Sequence, residues 1–515
     1  MLRVFQNDIV DPDHFVITLE LVPGRESQGR SVDLVTGIAR DAFADGRVSA
    51  VSITDNPGGN PSLSPDVLGY EIYKIGMDAI VHFTCRDANR VGMESRGLQL
   101  AMMGMKNILA LTGDYSGQGF GGQGLPVFDL DSVNLQIMLG ALNQRLDESG
   151  DPDGFFTGCA VSPFKYTEAE CFAQYAKLKR KVTAGAQYII TQLGYDARKF
   201  QELLFCMRHA GIQVPVLGSV YVLSPMSARI MHTGKVPGAT VGAKLLKRVL
   251  KEWQDKETGR RMAIERAARL GAVLKGLGYR GIHIGGIHRD FGMVARILDR
   301  LEEIENSWRD FVPDFDSPDP GAFYAYKEDK GLNREEPQFG QHPPTLSMGE
   351  KLHYNFLKTT HRAFFDFESS LAPLYKKTCV RLDSSKMGSL FARLLEDPVK
   401  YLLLRCRHCG DCSIQHVGFL CPESGCPKHT RNGACGGSRD GRCEVNPDRY
   451  CVWYRAHNRL ASVGAQDEMY TGCVPPRMWE LNDTSSWINF HLGRDHQSAS
   501  NQIMDFCRLK GCGEE

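Results

Sequence analysis

The stretch "NILALTGD" at residues 107–114 begins like a buried strand and becomes polar within three residues. Its apolar run stops at Leu111, and Asp114 then opens a glycine-rich loop. An aspartate in this place either forms a turn or lies at a site, because functional groups in a parallel barrel lie where the strands end. The rest of the chain decides between these two interpretations.

Seven other short apolar runs alternate with amphipathic stretches, several of which end in glycine as helices commonly do. The additional predicted strands cover 14–22, 48–56, 78–87, 155–163, 186–196, 214–224 and 281–288. Eight strand-then-helix units over about 300 residues predict an α/β fold, the (β/α)8 TIM barrel. A doubly wound sheet is the alternative arrangement of such units.

The composition narrows the classes of protein to which the chain can belong. Its 515 residues are too many for one ordinary core, and its 61 Lys and Arg balance 61 Asp and Glu, which argues against nucleic-acid binding. The start "MLRVFQNDIVDPDHF" has no signal leader and no apolar run could span a membrane, so the sequence predicts a cytoplasmic protein. In that compartment the 16 cysteines are expected to be thiols or metal ligands.

Residues 312–345 are rich in proline, glycine and charge and show no periodicity, which is typical of a linker. They divide the chain into a barrel domain at 1–311, a linker at 312–345 and a small cysteine-rich metal-binding domain at 346–515.

Polar side chains occur near the ends of several predicted strands. Glu20 is notable, because an unpaired carboxylate within a β-branched run would cost several kcal/mol. The others are Thr54, Asp55, His82, Asp114, Thr191, Gln192, His288 and Arg289. Each of these polar residues is ordinary by itself, but their convergence at one rim of the barrel predicts a functional site. The loop "SGQGFGGQG" at 116–124 is a weak dinucleotide motif, since it does not open directly into a helix.

The segment "CRHCGDCSIQHVGFLCPESGCPKH" at 406–429 holds three closely spaced cysteines and two Cys-Pro pairs. Three thiolates in one loop, with a remote cysteine before proline, are typical of a [4Fe-4S] cluster, and a zinc knuckle is the alternative. The candidate ligands are Cys406, Cys409, Cys412, Cys421, Cys426, Cys435, Cys443 and Cys451. Eight suffice for two clusters, or for one cluster and zinc.

Residues 14–290 resemble methylenetetrahydrofolate reductase, a flavin-containing barrel, in "ITLELVPG", "VSITDN", "VHFTCRDAN", "ILALTGD", "LKRKVTAGAQYIITQLGYD" and "GIHIGGIHRD". The resemblance implies that Glu20 is the general acid and that Asp114 faces pterin and flavin. It also implies that Gln192 and Arg289 bind the folate. Around the flavin it places Thr54, Asp55, His82, Thr112, Gly113 and Lys181.

Two departures concern the outer part of the flavin. Thr112 stands where the bacterial form often has arginine, and Gln174 stands where that form has an aspartate against the nucleotide portion. Both leave FAD and FMN open as the cofactor.

Residues 346–490 resemble the small companion subunit of the acetogen-type reductases, through "CxxCGxC", "CPK", "NGxCGG", "CEV" and "CVW". Both zinc and iron–sulfur centres have been proposed for that family, so the resemblance leaves the metal open.

Two functional hypotheses follow. In the first, the barrel reduces 5,10-methylenetetrahydrofolate to 5-methyltetrahydrofolate, in either physiological direction, with electrons relayed from a donor protein through the metal domain. In the second, the cysteine domain is a structural zinc module for docking a partner, and the barrel uses NAD(P)H directly. A homo-oligomer or an oxidoreductase partner subunit is compatible with both hypotheses.

Overall fold

The computed structural model describes residues 4–316, 321–341 and 343–497. A closed barrel of eight parallel strands lies at its centre, in the order β1-β10-β9-β8-β7-β4-β3-β2, which confirms the predicted TIM barrel. A small hairpin, β5 with β6, lies outside the barrel. The strands as far as the eighth barrel strand are β1 Val16–Leu21, β2 Ala50–Ile53, β3 Ala79–Thr84, β4 Asn107–Leu111, β5 Gln118–Gly119, β6 Gly122–Gln123, β7 Phe156–Val161, β8 Tyr188–Thr191, β9 Val216–Tyr221 and β10 Gly281–Gly285.

Helices surround the barrel and flank the cysteine segment of the second unit. Those of the barrel region are α1 Val4–Val10, α2 Arg30–Asp45, α3 Pro65–Tyr73, α4 Arg90–Met102, α5 Ser132–Glu148, α6 Glu168–Thr183, α7 Ala197–His209, α8 Pro225–His232, α9 Ala243–Glu252, α10 Lys256–Leu277, α11 Gly292–Ile304 and α12 Trp308–Phe311. Those that follow are α13 Met348–Phe365, α14 Ala372–Asp383, α15 Lys386–Leu404, α16 Pro422–Gly425, α17 Val452–Ala461 and α18 Ser486–His491. No helix among these is long and apolar enough to cross a membrane.

The barrel interior changes from apolar to polar along its axis. Helix α1 closes one end, where the Phe5 ring lies 5.1 Å from the Tyr188 ring within an apolar cluster drawn from the barrel strands. Alternate residues of a strand face the interior, so Thr18 and Glu20 follow Val16 towards the other end of β1. The carboxyl ends of the strands therefore form a polar rim.

Residues 312–345, expected to be a linker, contain a hairpin of β11 (Tyr326–Asp329) and β12 (Leu332–Pro337). It packs against α7, where the Arg198 guanidinium donates to the Asn333 amide oxygen at 3.0 Å. The hairpin is mostly polar and exposed, which explains why periodicity did not reveal it. The domain boundaries themselves stay a prediction.

The cysteine-rich unit packs directly against the barrel through α17 and α6. Phe172 and Ala176 of α6 share an apolar cluster with Trp453, Ala456 and Leu460 of α17. The contact continues in hydrogen bonds between the barrel loops and the segment 428–439, so the unit covers one side of the rim.

Candidate active site and cysteine centres

Glu20 lies near the end of β1, on the interior side of the rim. A Cβ atom at Gly285 of the neighbouring β10 would lie only 3.0 Å from the Glu20 Oε1, so glycine leaves room for this carboxyl group. Burial raises the pKa of Glu20 from 4.5 to about 7. Such a group is protonated often enough at neutral pH to act as a general acid.

Asp114 lies in the loop beyond β4, where two glycine-rich loops meet. Its Oδ2 accepts a hydrogen bond of 3.0 Å from the Gly58 backbone N–H. Gly117 N–H donates to the Gly59 carbonyl at 2.9 Å, and a Cβ atom at Gly59 would lie 2.0 Å from the Tyr115 carbonyl oxygen. The glycines therefore permit close approach of the two loops, and that approach fixes the Asp114 carboxylate.

Thr54, Asp55 and His82 lie at the ends of β2 and β3. The Asp55 Oδ2 accepts from the Thr84 backbone N–H at 3.1 Å, from its hydroxyl at 2.9 Å and from Arg96 at 2.9 Å. This carboxylate thus ties two strand ends to α4. The buried His82 ring is 2.7 Å from the Ser52 hydroxyl, and burial lowers the pKa of His82 to about 4, so its ring is neutral.

The remaining predicted residues have different surroundings. The Thr112 hydroxyl turns away to Ser132 at 3.1 Å, and Arg289 is exposed beyond β10. The Lys181 Nζ donates to the Ala160 carbonyl at 2.6 Å, and burial lowers the pKa of Lys181 to about 8. The Gln192 amide donates to the Pro237 carbonyl at 3.0 Å.

Lys428 of the cysteine-rich unit was not predicted to be part of this site. Its Nζ donates to the Gly113 carbonyl at 2.8 Å and forms an ion pair with Glu444. Burial opposes its charge, but Cys435, Glu444 and Asp114 together raise the pKa of Lys428 above its ordinary value. In the sequence, the tripeptide Cys-Pro-Lys was the signal that could have drawn attention to this lysine. Only the packing of the two units shows where its side chain points.

The loop around Lys428 is attached to the rim at several points. Asp131, which caps α5, also accepts from the backbone N–H groups of Arg431 at 3.1 Å and Asn432 at 2.9 Å. The Lys177 Nζ donates to the Gly433 carbonyl at 3.2 Å, and Lys165 donates to the Ser438 carbonyl. The cysteine-rich unit thereby completes one wall of the site.

The eight cysteines fall into two sets of four. The first comprises Cys406, Cys409, Cys412 and Cys421. Burial is the main reason that the pKa of Cys412 rises to about 11, and Cys421 and Cys406 lie close enough to contribute to this rise. Burial likewise raises the pKa of Cys409, and Cys412 and Cys421 contribute to this rise. The second set lines one cavity and comprises Cys426, Cys435, Cys443 and Cys451. Cys421 and Cys426 are thus neighbours in the sequence but belong to different sets.

Four thiolates gathered in one place can hold tetrahedral zinc or a cubane [4Fe-4S] cluster. Among the described residues, Asp411, Asp495 and His496 also bring their ligand atoms within 4.8 Å of one another, and this group contains no cysteine.

The group of Asp411, Asp495 and His496 has an explanation without a metal. Asp411 lies between Cys409 and Cys412, and its Oδ2 accepts from Arg431 at 2.8 Å while its Oδ1 is 2.5 Å from the His496 ring. These bonds hold the cysteine loop in place.

Comparison with known proteins identifies both units. Residues 6–302 match the family described as methylenetetrahydrofolate reductase, and residues 389–480 match "Methylene-tetrahydrofolate reductase C terminal". A Schizosaccharomyces pombe protein named methylenetetrahydrofolate reductase 1 is 24% identical over 56% of this chain and 46% of its own length.

Two further relatives match shorter segments. A Caenorhabditis elegans probable methylenetetrahydrofolate reductase (NADPH) is 28% identical over 32% of this chain and 23% of its own length. The 5,10-methylenetetrahydrofolate reductase of Salmonella typhimurium is 30% identical over 29% of this chain and 46% of its own length. The chain thus spans less than half the length of these curated relatives.

Proposed function

The chain belongs to the methylenetetrahydrofolate reductase family, and we propose that it reduces 5,10-methylenetetrahydrofolate to 5-methyltetrahydrofolate with a bound flavin. The single observation that carries the proposal is Glu20, a carboxyl group whose pKa burial raises to about 7, at the rim that also holds Asp114. Two carboxyl groups in different environments can serve as acid and as fixed charge.

In the proposed reaction Glu20 protonates the folate nitrogen N10 as the five-membered ring opens. The opened substrate is an iminium cation, and Asp114 stabilises its charge without reorganisation because the Gly58 N–H already fixes the carboxylate. Bound flavin supplies the hydride in this chemistry. Gln192 offers both a donor and an acceptor to the pterin, and the exposed Arg289 suits the anionic tail of a folate.

The residues around the rim fit a flavin ring. Lys181 uses one of its three N–H donors on Ala160, which leaves donors for a ring carbonyl. The Thr54 hydroxyl beyond β2 and the Gly113 backbone beyond β4 are further polar groups at strand ends. Gly286 packs closely against Tyr221 at the end of β10, because a Cβ atom there would lie 2.9 Å from the Tyr221 ring. His82 adds a neutral ring to this group of residues.

FMN is favoured over FAD by the surroundings of Gln174. This buried residue lies beneath Gly436, where an added Cβ atom would be 3.4 Å from the Gln174 Oε1. The cysteine-rich unit therefore covers the position at which the resemblance expects the nucleotide portion of FAD. Flavin released from the purified protein and identified by chromatography tests this assignment, and FAD at full occupancy would contradict it.

We further propose that the two cysteine sets hold [4Fe-4S] clusters that carry electrons from a donor protein to the flavin. The Cys435 thiol donates to the Glu444 carboxylate at 3.3 Å, Glu444 pairs with Lys428, and Lys428 donates to Gly113. This chain of contacts links the second cysteine set to the rim. The alternative is a structural zinc module with direct use of NAD(P)H, as the name of the nematode relative specifies for that protein.

Metal analysis combined with donor-dependent turnover separates these alternatives. We expect iron and acid-labile sulfide in protein purified without oxygen, and we expect Cys409→Ser to lose iron while flavin stays bound. Donor-protein turnover should then collapse. Cys379→Ser is the matched control, because Cys379 is buried but belongs to neither set. Zinc without iron, together with NADPH-driven turnover, would establish the alternative.

A further inference from the structure

Helix α15 has its polar and apolar faces reversed relative to an ordinary surface helix. Its buried face carries Glu396 and Lys400, which are 2% and 8% exposed. Lys400 donates to Glu396 at 3.0 Å and to the Ser486 hydroxyl at 2.7 Å, and that hydroxyl donates to Glu396 at 2.9 Å. A satisfied polar network thus accompanies the apolar contacts that Ala392 makes with Cys379 and Ile488 on this side of the helix.

The opposite face of α15 is apolar and open to solvent. Leu394 is 64% exposed and Leu402 is 83% exposed. At 100° per residue, the exposed apolar side chains fall on one continuous half of the helix. They are Leu390, Leu394, Leu395, Val399, Tyr401 and Leu402. Contiguous apolar surface of this kind marks an interaction site.

The size of this face suits a protein partner. Its six side chains present on the order of 700 Å², close to the roughly 800 Å² that each partner buries in a standard interface. Tyr401 supplies the aromatic type that dominates binding energy in such interfaces.

The net charge of the region that contains this face indicates which kind of partner it would bind. Residues 348–407, which form α13 to α15 and their connections, hold 11 Lys and Arg against 6 Asp and Glu, although the whole chain is neutral. Lys376, Lys377 and Arg381 of α14 are exposed. Two copies would bring two regions of net positive charge together, which argues against self-association and favours an acidic partner.

The face also lies near the first cysteine set. Helix α15 ends at Leu404, two residues before Cys406, and the Cys406 backbone N–H donates to the Lys400 carbonyl at 3.3 Å. Cys412 and Cys406 lie close to Lys400 on the buried side of the helix, so a protein seated on the face would be separated from this set by one helix diameter, roughly 10 Å.

We propose that the exposed face of α15 docks a small acidic electron-carrier protein, which would deliver electrons to the cluster that the first cysteine set would hold. This inference rests on the proposed electron relay. The face supplies an apolar centre, the lysines and arginines of this region meet carboxylates on the carrier, and the helix positions the carrier one helix diameter from the first cysteine set.

The test compares two electron donors for folate reduction, an acidic ferredoxin and the small dye methyl viologen, both reduced. We expect Leu394→Lys and Leu402→Lys each to raise the KM for ferredoxin about tenfold or more, while viologen-driven turnover and iron and flavin content stay within twofold. Met102→Lys is the matched control, because Met102 is 94% exposed on the barrel helix α4. Lys377→Glu should raise the ferredoxin KM less, by about threefold, and more strongly at low salt.

Several results would overturn the inference. Ferredoxin kinetics unchanged in both leucine variants, with viologen turnover intact, would refute docking while leaving the proposed function in place. A parent protein that viologen cannot drive would instead refute the electron relay itself. A dimer that Leu402→Lys dissociates in light scattering would identify a second copy as the occupant. Binding to phosphatidylserine vesicles that Leu402→Lys abolishes would identify a membrane surface.

Discussion

The ends of β1 and β4 each present a carboxylate to the same rim, yet the two groups have opposite surroundings. Glu20 lies inside the barrel end, where burial raises its pKa to about 7. Asp114 lies in a partly exposed loop, where the Gly58 N–H binds its oxygen and Lys428 holds the adjoining Gly113 carbonyl. The comparison teaches that environment rather than residue type separates a proton donor from a fixed negative charge.

The sharpest test of this comparison is Glu20→Gln. We expect the folate half-reaction to slow by about two to four orders of magnitude, because the amide keeps the shape of the site but has no proton to give. Flavin reduction by the donor should change little. Glu26→Gln, on an exposed loop, is the control. Stopped-flow measurement of each half-reaction checks this, and a near-parental folate rate would make Glu20 a structural residue.

Asp114→Asn should have the next largest effect. Loss of the fixed charge should slow the folate half-reaction by about a hundredfold, equivalent to a few kcal/mol, because the cation forms there. Flavin reduction should also change, but less. If the flavin potential and folate turnover both match those of the parent, Asp114 is a turn residue and the comparison with Glu20 fails.

Lys428→Met should slow the folate step by about tenfold and make the flavin potential more negative, because a positive charge beside Gly113 is lost. Lys428→Arg should restore much of the potential. The control is Lys165→Met, since Lys165 bonds to Ser438 in the same interface. If both methionine variants behave alike in potential and rate, Lys428 contributes packing rather than charge.

The smallest expected effect is the pH dependence of kcat/KM and of stability that Glu20 causes. Because Glu20 must be protonated to act, kcat/KM for the folate should fall as pH rises through about 7, and Glu20→Gln should lack this limb. The raised pKa also means that the folded state binds more protons than the unfolded state between pH 4.5 and about 7, so Glu20 lowers stability as pH rises through that window. Denaturant titrations of parent and variant at pH 5 and 8 check this sign.

The barrel and the cysteine-rich unit also differ in how far each relies on the other for its packing. The barrel encloses its own core, whereas the cysteine-rich unit shares its Trp453 cluster with α6 and inserts Lys428 into the rim. The sequence predicted two units separated by a linker, but it could not show that they share a wall of the site. Such contacts join residues more than two hundred positions apart, and no local pattern records them.

The sequence by itself determined the barrel, because apolar runs of strand length alternate with helices of amphipathic period, and it placed Glu20 and Asp114 at strand ends. It also predicted, from their spacing, that eight cysteines are metal ligands. Only the tertiary structure decided which four of these cysteines lie together, that Lys428 meets Gly113, and that α15 exposes its leucines. The physical reason is that periodicity reports which face of an element is apolar. What covers that face, and which distant groups meet across it, depends on how the units pack.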